Sequence, residues 1–257
     1  MRLVTVRVEH PRFRVLFLSD MHFGHRNCDE KAIEKYLRIA QEEDVRVIIG
    51  GDLFEAKLRK SKGRLSEQVY TPGEQLAFWK KALKPLAGKI DAIVSGNHEE
   101  RIAEEAEIEV LKEVADYICA EYDPVGAWVV YMYNRGKASR HIESVSIYAT
   151  HGASGAILPG GKLTAAYRLR WNVSADVILT GHVHQFTATT GEFVDAVITG
   201  ANKVLKRKPQ WVITNGACLR TEGSYGERKG YSFQPIVQTC LEVNLAGDEP
   251  IVRPFAI

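Results

Sequence analysis

Five short apolar runs of β-forming residues in this chain each break off into a polar block, and the five blocks share one chemistry. Residues 13–19 run into Asp20-Met21-His22, 45–49 into Gly50-Gly51-Asp52, 90–94 into Gly96-Asn97-His98-Glu99, 145–149 into Thr150-His151-Gly152, and 177–180 into Gly181-His182-Val183-His184. The first three runs alternate with stretches of helical spacing. Residues 29–43 carry Ile33, Leu37 and Ala40, residues 72–86 open on Pro72, which suits a first helical turn, and residues 100–115 predict a third helix. Strand, helix and strand in alternation predict a parallel sheet with right-handed crossovers, whose site lies outside the carboxyl ends of the strands. The polar blocks fall where that rule puts a site.

Beyond Tyr117 the chain turns β-rich. Residues 127–133, 145–150 and 177–180 read as strands, and only 163–171 as a helix. Residues 185–189 and 192–198 flank Thr190-Gly191 as a hairpin, and 211–214, 236–243 and 250–255 add further strands. Residues 1–7 alternate polar and apolar and read as a strand, without the continuous apolar core and cleavage site of an export signal. With 257 residues and 45% hydrophobic content, one well-filled core is expected. No repeat, low-complexity tract or linker divides it, so the expectation is a single domain over 1–257 with two sheets packed face to face and helices outside. A net charge of +2 creates no global field toward nucleic acid or membrane. No run approaches the roughly 18 apolar residues of a membrane span. Cys28, Cys119, Cys218 and Cys240 stand far apart without metal-binding spacing, which predicts buried free thiols in a reducing cytoplasm.

Aspartate oxygens, imidazole nitrogens and an amide oxygen suit borderline and hard divalent cations. Asp20 and His22, two apart at the end of an extended run, can reach the same side as the backbone turns away, although a strand-end aspartate also caps turns. Asp52 follows two glycines that permit tight geometry where a carboxylate would have to bridge two ions. Adjacent residues rarely bind one metal, so Asn97 goes to the metal and His98 stays a free acid–base group, whose titration range suits proton transfer near neutral pH. Of the eight histidines, His22, His25, His98, His151, His182 and His184 lie in or within three residues of these blocks, which core packing would not arrange. Only His10 and His141 look ordinary.

With its D-x-H, G-D, G-N-H-[DE], H and G-H-x-H blocks from Asp20 to His184, the sequence resembles the calcineurin-like metallophosphoesterase superfamily. The resemblance implies a four-layer α/β/β/α sandwich, two packed mixed sheets flanked by helices, with a dinuclear centre between the carboxyl ends of its sheets. It implies that Asp20, His22 and His184 hold one divalent ion, that Asn97, His151 and His182 hold the other, that Asp52 bridges them, and that His98 assists catalysis. Manganese is the expected metal, with iron, zinc or nickel as alternatives. Two ions about 3.5–4 Å apart would activate a shared water for in-line attack on phosphorus, while protonated His98 assists the leaving oxygen.

Departures from the family's patterns narrow the substrate. The aspartate-arginine-glycine triplet of the serine/threonine protein phosphatases is missing after Asp52, whereas Gly51-Asp52-Leu53-Phe54 is similar to the superfamily's DNA-repair nucleases. The strand-rich stretch after His184 reads as sheet completion and not as a capping domain. Lys57, Arg59, Lys60, Lys62 and Arg64 crowd one loop that could grip a phosphate backbone or be a solvated run; salt dependence of binding separates the two. Lys203, Lys206, Arg207 and Lys208 form a second cluster, read as a solvated run. His25 either faces substrate or bonds nearby backbone. Arg101 either holds phosphate or pairs with Glu104 or Glu105. Arg168 and Arg170 read as structural, and 215–231 as a loop rimming the site. The expected activity is hydrolysis of phosphodiesters of nucleotide or nucleic-acid origin, with phosphomonoesters second. A non-catalytic scaffold is the reading from another class, and scaffold relatives typically lose ligands that are intact here.

Overall fold

Alternate residues of the strand β2 (Arg12–Leu18) face different layers: Val15 and Phe17 pack between two sheets, Leu16 and Leu18 against helices. That period of two is what a strand buried on both faces requires, and it explains the unbroken apolar run. The computed structural model describes residues 1–58, 61, 64–134, 142–199, 202–223, 225–247 and 249–257, with backbone alone at 195–199, 202–204, 206 and 225.

β3 (Val45–Ile49), β4 (Ile90–Val94) and β5 (Tyr122–Asp123) continue parallel to β2 in the first sheet. Its other edge comes from the far end of the chain, where β11 (Thr239–Asn244) pairs antiparallel with β2 and β12 (Ile251–Ala256) with β11. The second sheet has the order β1 (Arg2–Arg7), β6 (Gly126–Asn134), β7 (Ile142–Thr150), β8 (Val177–Thr180), β10 (Asn202–Thr214) and β9 (Thr187–Thr199). Valine, isoleucine and phenylalanine from both inner faces interdigitate between the sheets. α1 (Glu30–Ala40), α2 (Pro72–Leu83), α3 (Asn97–Ala106) and α4 (Val110–Ile118) lie on the first sheet's outer face, and α5 (Pro159–Tyr167) on the second's. The fold is therefore the expected α/β sandwich of two mixed sheets flanked by helices.

Local signals start the helices. The Asp29 carboxylate accepts from the Ala32 N–H at 3.1 Å, and Thr71 with Glu74 forms a capping box around Pro72. The stretch read as one helix over 100–115 is two, because Glu107 turns left-handed at φ +56° and ends α3. α3 also starts earlier, so Asn97 and His98 stand in its first turn. The hairpin turn read at Thr190-Gly191 is absent: β9 runs straight through it, pairing along its length with β10. Long-range pairing outweighs a local turn preference there. β10 also absorbs the 203–208 cluster, where Arg207 pairs with Glu192 and Lys208 with Asp176. Cys119 is exposed, against the expectation of buried thiols, while Cys218 and Cys240 are buried. Among the described residues no helix is long and apolar enough to cross a membrane.

Candidate metal centre

The carboxyl ends of β2, β3, β4, β7 and β8 open into turns that carry all five polar blocks to one place. Among the described residues, eight other than glycine have positive φ, and five of them are Asp20, His22, Asp52, His182 and His184. A left-handed non-glycine residue costs on the order of 1–3 kcal/mol and persists only where its surroundings over-determine it. Here they do. Asp20 and His22 donate their backbone N–H groups to the Gly51 and Asp52 carbonyls at 3.0 Å, and the His182 N–H donates to Asp20 Oδ1 at 2.9 Å. Gly51, at φ +80°, lies so close to β4 that a Cβ there would stand 2.4 Å from the Gly96 nitrogen.

Glu99 ties two of these turns together. Its carboxylate accepts from the backbone N–H groups of Asp52 at 2.9 Å, Phe54 at 3.0 Å and Gly96 at 3.0 Å. Burial and the Asp52 charge nevertheless push its carboxyl up to about 7. Trp79 of α2 donates to the Leu53 carbonyl at 3.1 Å, and Gln75 accepts from Glu55 and Ala56, which fixes the turn after Asp52 from behind.

The donor atoms converge in three groups, Asp20 with His22 and His184, Asp52 with His151 and His182, and His22 with Asp52 and His98, each within 4.8 Å. His184 Nε2 lies 3.0 Å from His22 Nε2 and 3.2 Å from Asp20 Oδ1. Asn97 Oδ1 lies 2.8 Å from His182 Nδ1 and 3.2 Å from His151 Nε2. Asp52 Oδ2 is 3.3 Å from His151 Nε2 and 3.9 Å from His22 Nε2, so it touches both groups. A cation with nitrogen and oxygen ligands at about 2.0–2.2 Å would set neighbouring donors at such separations.

Tautomers sharpen the fit. His151 Nδ1 donates to the Gly50 carbonyl at 2.8 Å, which leaves Nε2 a lone pair facing the oxygens of Asn97 and Asp52. Likewise, His22 Nδ1 faces the Glu55 carboxylate at 3.2 Å, turning Nε2 toward His184. Acceptors facing acceptors demand a positive charge between them, as a proton or a metal. The electrostatics carry the same message. Burial pulls His151 down, but Asp52 outweighs it and raises the imidazole to about 10, while the histidines hold the buried Asp52 carboxyl well below its usual range. The residues present thus fit a pair of divalent cations.

His98 is set apart from this pattern. Its Nδ1 donates to the Glu55 carbonyl at 2.5 Å, and its Nε2 points toward Asp52 Oδ2 at 3.8 Å. Burial lowers its imidazole to about 4, so the neutral ring presents Nε2 as an acceptor and not the protonated ring expected from the sequence.

A cavity of about 320 Å³ opens over the cluster. His25 lines it, with Nδ1 accepting from the Asn27 N–H at 3.0 Å, so its Nε2 carries the proton. Arg101 lines it too, and among the described residues it makes no ion pair with Glu104 or Glu105. Ala217, Leu219, Thr221 and Tyr231 bring the 215–231 segment to the rim as anticipated. Arg170 is structural, bonded to Gln210 at 2.8 Å and stacked over Phe193.

Lys57 corrects one expectation. It is buried, 2.9 Å from Glu67 and 3.4 Å from Glu55, so it holds the loop together and is no free cation for a phosphate backbone. Arg59, Lys60 and Lys62 lie outside the described residues, and Arg64 is exposed. The reading of the sequence missed Glu55, although its place three residues after Asp52 was a usable signal. It also missed Lys162, which stands in the cavity wall and carries no motif.

No curated protein matches the chain. Among solved structures it is similar to vacuolar protein sorting 29 of Cryptosporidium parvum, at 13% identity over 96% of this chain and 98% of that one, with a TM-score of 0.41. NAD nucleotidase of Haemophilus influenzae is similar at 12% identity over 95% and 50%, TM-score 0.44, and a metallophosphoesterase of Sphaerobacter thermophilus at 15% over 95% and 88%, TM-score 0.41. The family model described as calcineurin-like phosphoesterase matches residues 13–186, a span that takes in every one of the five polar blocks, and the chain therefore belongs to that family.

Proposed function

We propose that this protein is a metal-dependent hydrolase of phosphodiesters of nucleotide or nucleic-acid origin. Asp20, His22 and His184 would hold one divalent cation, Asn97, His151 and His182 a second, with Asp52 shared between them. When bound, the two cations would polarise the phosphoryl oxygens and acidify the attacking water. Asp52 would supply negative charge to both cations. The carbonyl of Glu55 fixes the His98 ring so that Nε2 meets the reacting group. There His98 takes a proton and returns it to the leaving oxygen, a role worth about 10²–10⁴-fold. Arg101, one turn along the helix from His98, offers a guanidinium to the phosphoryl oxygens.

The observation that carries this reading is the fixed tautomer of His98 beside a complete donor set: Nδ1 is tied to a backbone carbonyl, and Nε2 is left toward Asp52. A scaffold would have no need to hold that nitrogen ready. The test is a panel in which the protein, loaded with manganese, zinc, iron or nickel, meets bis-p-nitrophenyl phosphate, p-nitrophenyl phosphate, single-stranded DNA and a phosphopeptide. Hydrolysis of the diester and of DNA is expected. Turnover of monoesters alone would replace the diester reading, and no turnover with any metal would favour a scaffold.

A further inference from the structure

Four cations line the cavity, and their partners divide them into two kinds. Lys57 is neutralised by Glu67 and Glu55, and Arg220 by Asp29 at 2.6 Å. Arg101 and Lys162 meet no carboxylate among the described residues. Arg101 shares α3 with His98, close to the reacting group. Lys162 comes from α5, on the second sheet's side.

Lys162 is only 8% exposed. Its Nζ donates to the Val183 carbonyl at 3.0 Å and lies 5.8 Å from the centre of the Tyr231 ring. An ammonium has three N–H donors, and the carbonyl takes one. Neither a neutral carbonyl nor a ring face cancels a buried charge, and buried charges are ordinarily paired. Val183 separates His182 from His184, so the ammonium stands beside the candidate metal cluster without belonging to it.

We propose that Lys162, backed by the Tyr231 ring, binds a second anionic group on the substrate, a phosphate next to the one that reacts. The inference rests on the reading that the reacting phosphoryl occupies the Asp52 cluster. That second phosphate could belong to a small nucleotide or to the neighbouring link of a nucleic-acid strand, and the test separates the two.

The probes are the p-nitrophenyl ester of thymidine 5′-phosphate, the same ester carrying a 3′-phosphate, and the same ester on a thymidine tetranucleotide. Wild type, Lys162→Gln and Lys162→Arg are compared after metal loading. In wild type the 3′-phosphate should lower KM roughly ten- to hundredfold with kcat nearly unchanged, the size expected for hydrogen bonds to a charged group. Lys162→Gln should erase that advantage while keeping wild-type metal content, and Lys162→Arg should restore part of it. Equal gains from the 3′-phosphate and the tetranucleotide would assign the subsite to a single phosphate, and a larger gain from the tetranucleotide to a strand. Equal KM for the two mononucleotide esters in wild type would overturn the proposal. So would a Lys162→Gln variant that loses kcat on both esters together with its metal, since that result assigns Lys162 to holding the His182–His184 turn. If wild type hydrolyses none of the esters, the hydrolase reading fails on its own, and calorimetric titration with the unconsumed esters still reads the subsite.

Discussion

The inner and outer walls of the cavity are built on opposite plans. On the inner wall His22 and Asp52, together with Asp20 and His151 of the same cluster, are buried, sit on turns held in left-handed conformations or against backbone carbonyls, and have short side chains with little freedom. On the outer wall Arg101, Lys162, Arg220 and Tyr231 reach in on long side chains from helices and from the 215–231 segment, and Tyr231 is 40% exposed. The difference teaches where each property of the protein resides. On the proposed reading, chemistry belongs to the inner wall, where the backbone fixes each donor atom. On the same reading, choice of substrate belongs to the outer wall, where cations on long side chains and one ring would meet whatever is attached to the phosphoryl group.

Substitutions can break this division in order of expected effect. Asp52→Asn removes the charge both candidate ions share, and kcat should fall at least about 10³-fold, equivalent to several kcal/mol of lost charge stabilisation, with metal content falling in parallel by elemental analysis. His98→Asn should lower kcat about 10²–10⁴-fold with metal content intact. Loss of metal from that variant would place His98 among the ligands.

Gly51→Ala leaves every inner-wall side chain in place but forces a Cβ into the backbone of Ser95 and Gly96 at a positive φ. It should cost about 2–5 kcal/mol, read as a lower denaturation midpoint at unchanged slope. A wild-type midpoint would show that the inner wall yields more easily than the contrast with the outer wall implies.

The smallest effect concerns Glu67, whose carboxylate joins Lys57 to Arg228 at the border between the two walls. Burial alone would raise its carboxyl, but Lys57 and Arg228 outweigh that and hold it at about 2, below its ordinary 4.5. The folded value being the lower one, its contribution is present above pH 4.5 and is lost as pH falls toward 2. Glu67→Gln should cost about 1–3 kcal/mol at neutral pH and flatten the acid limb of the stability curve in that window. An acid limb unchanged by the substitution would remove Glu67 from this account.

Much of the inner wall was legible in the sequence. Apolar runs ending in Asp, His, Asn and Gly identify strand ends, and parallel topology sends strand ends to one edge, so Asp20, Asp52, Asn97 and His184 could be named together. The outer wall was legible only in Arg101 and the 215–231 segment, and its lysines were not. Lys57 reads as one of five loop cations and turns inward because Glu55 and Glu67 are there to meet it. Lys162 is an unremarked lysine in a weakly patterned helix until the fold sets it against Val183 and Tyr231.

By itself, the sequence determined the strand and helix order, the capping of α1 and α2, and the identity of the groups that could bind metal, because those follow from periodicity and side-chain chemistry within a few residues. Tertiary structure decided the rest. It joined β11 to β2 across the length of the chain, ran β9 through a glycine that local preference reads as a turn, and fixed the His98 tautomer through the Glu55 carbonyl. It also left the buried Lys162 ammonium without a carboxylate partner among the described residues. Each of these depends on which distant partner satisfies a backbone or charged group, a choice made only when the two sheets pack.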